Sequence, residues 1–345
     1  MEVRMEKEIS IEEFSDRNPY YDNVKGILII LVVFCHVIQK YIHNGFSYLY
    51  IPFFIIYTFH MPLFVFLSGY FSKDAKKAQA KAFERFLLPY IVWSFVYFIV
   101  ISLTHWKSDF NFAIPWFTYW YFVSLFTLCL FLPVMLKIRL NVFIFFVLMF
   151  AAGFYQDYGW AFSLSRTICF APFFLMGYYC KSSALDKIRR YRIFVLIVTI
   201  AVFMALLVLC LSDAVRFFTR IIERSMWMAE PYQASRALGY LGPIYRGIII
   251  IGALVFGSCI FAFAPKKKTL LSKIGKNTVV IFVFHGYFVQ YMNDFFTFDP
   301  ATVSGVLLMI LISLGITAFL SLNWWNRTYL WLMKQLQNLI IKEKQ

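Results

Sequence analysis

The chain has 345 residues, of which 61% are apolar and only 15% charged, with a formal net charge of +15 and a mean hydropathy of +0.69. Soluble domains run at about 45–50% apolar and about 25% charged, and one soluble core of this length cannot hide 42 Phe, 22 Tyr and 9 Trp. A water-soluble fold is excluded, and the composition implies an all-α polytopic integral membrane protein that uses the lipid bilayer as part of its solvent.

In chain order, residues 1–22 read as a separate N-terminal segment. They hold seven acids, lack the basic start of a secretion signal, and place Ser10 and Glu13 as a capping box for a short helix. A membrane domain over 23–322 follows. About 20 apolar residues are needed to cross the hydrocarbon, and the sequence offers ten such stretches: 24–42, 48–71, 86–104, 116–136, 141–156, 161–180, 193–212, 243–264, 277–296 and 302–322. The fifth is short. Ten spans put both termini on one side, and the Lys/Arg bias names that side. The N-terminal segment, four alternate loops and the C-terminal tail hold 25 of the 33 basic residues. Both termini are therefore expected in the cytoplasm, and the protein in the cytoplasmic (inner) membrane. The Lys266-Lys267-Lys268 run then serves as a lipid-headgroup contact, and no nucleic-acid partner is implied. The tail 323–345 is amphipathic, with Trp324, Trp325, Leu330, Leu336 and Ile340 opposite Lys334, Gln335 and Asn338, and is expected to lie along the inner interface. The six cysteines all fall in apolar runs without C-x-x-C spacing, so neither a disulfide framework nor a zinc site is signalled.

Ionisable residues inside spans are costly and so are functional candidates. His36, His60 and His285 stand near mid-depth in the first, second and ninth spans. Arg166 lies just inside the sixth, and Lys25 at the mouth of the first. Lys25 and His36 are eleven residues apart, which on a helix means a difference in direction of only ~20° and a rise of about 16 Å. Asp22 lies on the same stripe and can pair with Lys25 at i, i+3. Such a stripe suits a ligand with an anionic head, an arm of that length and a reactive end, as in acetyl-CoA. A lysine snorkelling at the helix start and a histidine bonded to a neighbouring helix would leave the same residues.

The stretch Tyr21-Asp22-Asn23-Val24-Lys25-Gly26 through His36 resembles the membrane acyltransferase 3 family, whose motif is Arg or Lys, ten residues, then His. Phe59-His60-Met61-Pro62-Leu63-Phe64 through Leu67-Ser68-Gly69-Tyr70 is similar to its second motif. Trp120-Tyr121-Phe122, Ser165-Arg166 with Pro172-Phe173-Phe174, and Gly275-Lys276-Asn277-Thr278 followed by His285 resemble later ones. The resemblance covers nearly the whole chain and is nearest to the fucose 4-O-acetylase-like and capsule-polysaccharide O-acetyltransferase branch. It implies transfer of an acyl group from cytoplasmic acyl-CoA to a hydroxyl of a polysaccharide or its lipid-linked glycan precursor. Lysine replaces the family's frequent arginine at position 25, keeping the charge but losing the bidentate fork.

Within that resemblance His36 is expected to act as general base on the acceptor hydroxyl or as a transient acyl carrier, with His60 either facing it or serving as a structural residue bonded to a backbone carbonyl. Arg166 is expected to bind the acceptor or stabilise the developing oxyanion. Lys25, Ser68, Gly69, Tyr70 and Lys73 are the candidates for binding acetyl-CoA, although helix packing explains Gly69 equally well. No metal is expected. His285 reads as a core histidine or as part of the site lining, and Trp160, Trp227, Tyr232 and Tyr240 as an interfacial belt or as a stacking surface for sugar rings. A transporter or flippase for a lipid-linked glycan is the rival from another class. It would usually show repeated halves or broken helices, and the sequence has neither.

Overall fold

The computed structural model describes residues 18–42, 48–104, 110–155, 160–211, 226–232 and 242–340. Ser10, Glu13, His43, His105 and Tyr240 lie outside the described residues. Among those described, the chain is helical throughout and has no strand.

Helix α1 (Pro19–Ile42) begins where Asn18 Oδ1 accepts the Tyr20 N–H at 3.0 Å, with Asp22 in its first turn. An Asn cap, a proline at the first helical position and an acid at the positive end of the dipole are start signals readable from sequence. There follow α2 (Tyr50–Tyr70), the short α3 (Ala75–Ala80), a π-helical turn over Phe83–Leu87 and α4 (Leu88–Leu103). Next come α5 (Trp120–Met135), α6 (Asn141–Ala151), α7 (Leu164–Tyr179), α8 (Ser182–Arg190) and α9 (Arg192–Leu211). The C-terminal part holds α10 (Gly242–Phe263), α11 (Leu270–Lys276), α12 (Thr278–Phe295), α13 (Val303–Leu320) and α14 (Asn323–Ile340).

Every one of the ten expected spans coincides with a helix, and among the described residues six helices are long and apolar enough to cross a membrane by length and composition. The chain is a polytopic membrane protein. The fifth expected span departs from its reading: α6 has 11 residues, about 16 Å of rise, roughly half the hydrocarbon thickness. Helices α1 and α2 are enclosed by protein over 61% and 72% of their apolar windows, whereas α9 is enclosed over only 17%. The first two helices therefore form the centre of the bundle, and α9 faces lipid.

Two close approaches set the central geometry. A Cβ on Gly26 would stand 2.1 Å from the Leu271 carbonyl oxygen, and one on Gly275 1.8 Å from that of Asp22, so α1 and α11 meet backbone to backbone. Asn23 locks this contact, donating to the Pro265 and Lys267 carbonyls at 2.7 and 2.8 Å and accepting from Thr269 Oγ1 at 2.6 Å. Three cations are spent on helix C-termini, whose last carbonyls lack intrahelical partners. Lys40 donates to Asn293 near the end of α12, Arg189 to Ala264 after α10 at 2.8 Å, and the fully buried Arg246 to Met149 near the end of α6.

The tail forms helix α14 and packs part of its surface on the bundle. Its buried residues are Tyr329 and Met333. Tyr329 stacks on Trp93 with ring centroids 5.9 Å apart, and Trp325 packs on Phe284 at 5.1 Å. Aromatic contact with α4 and α12 thus docks the tail on the bundle, leaving Trp324, Leu330 and Trp331 exposed.

Candidate active site

One cavity of about 200 Å3 gathers His36 from α1, His60 from α2, Trp120 from α5, Arg166 from α7 and Phe282 from α12. The three expected catalytic side chains are thus brought together although they belong to three separate helices. His36 is partly accessible, while His60 and His285 are 2% and 0% exposed. His285 stands behind His36, its Nε2 at 2.9 Å from His36 Nδ1 and its own Nδ1 at 2.8 Å from the Ile281 carbonyl oxygen.

These two contacts assign the protons. A carbonyl only accepts, so His285 carries its hydrogen on Nδ1 and presents a lone pair at Nε2. His36 Nδ1 must then donate to that lone pair, which leaves the basic lone pair of His36 on Nε2. The same logic applied to His60, whose Nδ1 lies 2.8 Å from the Ile56 carbonyl oxygen, leaves its lone pair on Nε2 as well. The expectation of a core histidine holds for the burial of His285 but not for its role: it bonds the candidate base directly. No local signal in the sequence joins two histidines 249 residues apart.

Arg166 sits between the rings of Trp120 and Trp160, at 4.9 and 4.6 Å from their centroids, and its Nε donates to the Trp227 carbonyl at 2.9 Å. Trp160 and Trp227, expected as interfacial belt, are therefore part of the cavity wall. Strain collects here. Phe117, Phe162, Ser163 and Met228 all have positive φ, between 47° and 56°. A non-glycine residue in that region costs on the order of 1–3 kcal/mol and persists only where its surroundings over-determine it. Phe117 packs against His36 with the rings tilted and their centroids 4.5 Å apart, and Met228 accepts from Ser165 Oγ at 2.7 Å, next to Arg166.

A second cavity, of about 570 Å3, lies at the start of α1 and is lined by Lys25, Arg85, Lys276, Ser68 and Ser72. Lys25 pairs with Asp22 at 3.5 Å, as the i, i+3 spacing predicts, and its ammonium lies 4.8 Å from the centre of the Phe71 ring. Phe282 lines this cavity too. Arg85 was not singled out from sequence, and Lys276 only as part of a motif without a donor role, because cations beside a span are ordinarily explained by topology alone.

Three expected cofactor residues stand elsewhere, each for a physical reason. Gly69 faces α7: a Cβ there would lie 1.9 Å from the Phe174 carbonyl oxygen, so its smallness serves helix packing. The Tyr70 hydroxyl is bonded to that of Tyr21 at 2.6 Å. Lys73 donates to the carbonyls of Gly177, at 3.0 Å, Tyr178 and Cys180, at 2.7 Å, spending the three donors of an ammonium on the end of α7. Desolvation there lowers its pKa from the ordinary lysine value. Ser68 does line the second cavity, but its hydroxyl bonds the Phe64 carbonyl and the Tyr121 hydroxyl, both at 2.9 Å. Gly69→Ala is accordingly expected to destabilise the fold by about 1–3 kcal/mol without changing donor affinity. Thermal melting alongside a donor-binding isotherm separates the two effects, and weakened binding at unchanged melting would refute this assignment.

Among the described residues, no group of three or more His, Cys, Asp or Glu is placed to hold a metal ion. A family model described as an acyltransferase domain matches residues 18–322. The chain belongs to the acyltransferase 3 family. The histidine cavity is the candidate active site of this membrane protein of the acyltransferase 3 family. Two relatives are the nodulation proteins NolL of Mesorhizobium japonicum, 37% identical over 123 residues, and of Sinorhizobium fredii, 37% identical over 87 residues. These matches cover 31% and 23% of this chain and 33% and 24% of those proteins, so the chain spans about a third or less of the relatives' length. No solved structure matches the chain.

Proposed function

We propose that this acyltransferase moves an acetyl group from cytoplasmic acetyl-CoA to a hydroxyl of a cell-surface polysaccharide or its lipid-linked precursor, working in the inner membrane. The observation that carries the reading is the pairing of a cation-lined cavity with a histidine-lined one, with Lys25 and His36 on the same face of α1. Lys25, Arg85 and Lys276 suit the phosphates of the donor. The pantetheine arm matches the rise of about 16 Å between Lys25 and His36.

In the reaction the acceptor hydroxyl gives its proton to His36 Nε2 while its oxygen attacks the thioester carbonyl. The C–S bond then breaks, and the departing thiolate takes the proton back from His36. His285 keeps Nε2 as the basic atom and accepts from the imidazolium formed on the way. Arg166, held between two indoles, faces the charge that develops on the carbonyl oxygen.

The test follows labelled acetyl from acetyl-CoA into polysaccharide, using membranes that contain or lack the protein, with proton NMR of the product. Label appearing equally in both would sink the reading. Persistent glycan export with no acetylation, once His36 is replaced, would exclude the flippase alternative. Lys25→Ala is expected to raise KM for acetyl-CoA about tenfold, the worth of one charge-assisted contact, with kcat nearly unchanged and Lys25→Arg close to wild type. A fall in kcat at constant KM would remove Lys25 from the donor site.

A further inference from the structure

The histidine cavity and the cation-lined cavity are separate, and among the described residues Phe282 is the one side chain that lines both. It sits one helical turn before His285 and is 5% exposed. Its ring packs on Tyr121 at 5.2 Å and edge-on against Phe122 at 5.7 Å. Tyr121 is itself fixed, its hydroxyl bonded to Ser68 Oγ at 2.9 Å and to the Phe64 carbonyl at 3.2 Å. The partition therefore has a side braced by hydrogen bonds, Tyr121, and a side held by apolar packing, Phe282.

We propose that Phe282 is a side-chain door between the donor and histidine cavities, swinging to admit the acyl group and otherwise keeping water and acceptor away from the donor. The proposal rests on the acyl-CoA reading above. A rotamer change of one phenyl ring is a small motion, and an apolar constriction excludes water by dewetting. An enzyme drawing its two substrates from opposite sides of a bilayer needs such a barrier, because water competes with the acceptor hydroxyl. With the door removed, water attacks the thioester carbonyl, the C–S bond breaks, and His36 carries the proton from water to sulfur. The products are acetate and free CoA thiol.

The test uses the full chain reconstituted in liposomes with acetyl-CoA, reading thiol release without acceptor and acetyl transfer with it. Phe282→Ala is expected to release thiol at least about tenfold faster than wild type, a barrier change of about 1.4 kcal/mol. Adding His36→Ala should return that release to the wild-type level. Phe282→Trp, too bulky to swing clear, is expected to bind acetyl-CoA within about twofold of wild type yet lose at least about tenfold in transfer. Wild-type thiol release by an Ala variant of normal melting temperature would overturn the door, as would wild-type transfer by the Trp variant. Should Phe282→Ala fail to fold, the Trp variant decides. Failure of the wild-type protein to bind acetyl-CoA would instead overturn the donor assignment itself.

Discussion

His36→Ala is expected to lower acyl transfer by about 10²–10⁴-fold, the usual contribution of a positioned general base, with protein level and acetyl-CoA affinity unchanged. The loss has that size because no neighbour can take over the proton. His285 is fully buried, does not line the cavity, and has its ring fixed through Nδ1 by the Ile281 carbonyl. His60, on α2, has its ring fixed by the Ile56 carbonyl and cannot move into the vacated place without breaking that bond. Transfer rates and donor binding, measured on the same purified variant, check the claim. Transfer within a few-fold of wild type would remove His36 from the chemistry.

His285→Ala carries the second-largest effect, expected at about 10- to 100-fold in kcat with KM for the donor unchanged. The estimate follows from what the bond does at each stage. In the ground state it fixes the tautomer of His36, and losing a two-way choice costs only a small factor. When His36 becomes cationic the same bond serves a charged donor, and such bonds are worth about 1.5–3 kcal/mol. Because that stabilisation is realised only once the proton has moved, its loss falls on kcat. His285→Gln offers an acceptor oxygen at a similar reach and is expected to recover part of the activity. A purely structural His285 would give a lower melting temperature in both variants, no selective recovery by Gln, and no split between kcat and KM.

The two buried histidine partners illustrate how much of the site was legible in the sequence. The stripe of Asp22, Lys25 and His36 was readable because it lies on one helix, whose period relates residues eleven apart without any knowledge of the rest of the chain. The observed Asp22–Lys25 pair follows from that period. Gly69 and Lys73 were legible as chemistry but not as location. A glycine beside a conspicuous motif suits a cofactor or a neighbouring helix, and only the Phe174 backbone at its Cα chooses between them. A lysine after a span suits a phosphate or a helix end, and three carbonyls of the α7 terminus claim it. Arg246 shows the opposite failure. Its charge inside an apolar run was a signal in plain view, and the structure puts it fully inside, bonded to Met149 and lying 4.6 Å from the Tyr232 ring centroid.

From the sequence by itself came the lipid solvent, the positions of the apolar helices and the Lys25–His36 stripe. These are properties of composition and of period along one continuous segment, and they do not depend on which helix lies next to which. The tertiary structure decided the rest: which nitrogen of His36 is basic, which cations line a cavity and which are consumed by helix ends, and that Phe282 stands between two compartments. Each of those depends on atoms far apart in the chain meeting within hydrogen-bond or van der Waals distance. Hydropathy leaves that unspecified, because in a bilayer many arrangements of the same apolar helices hide their backbones equally well.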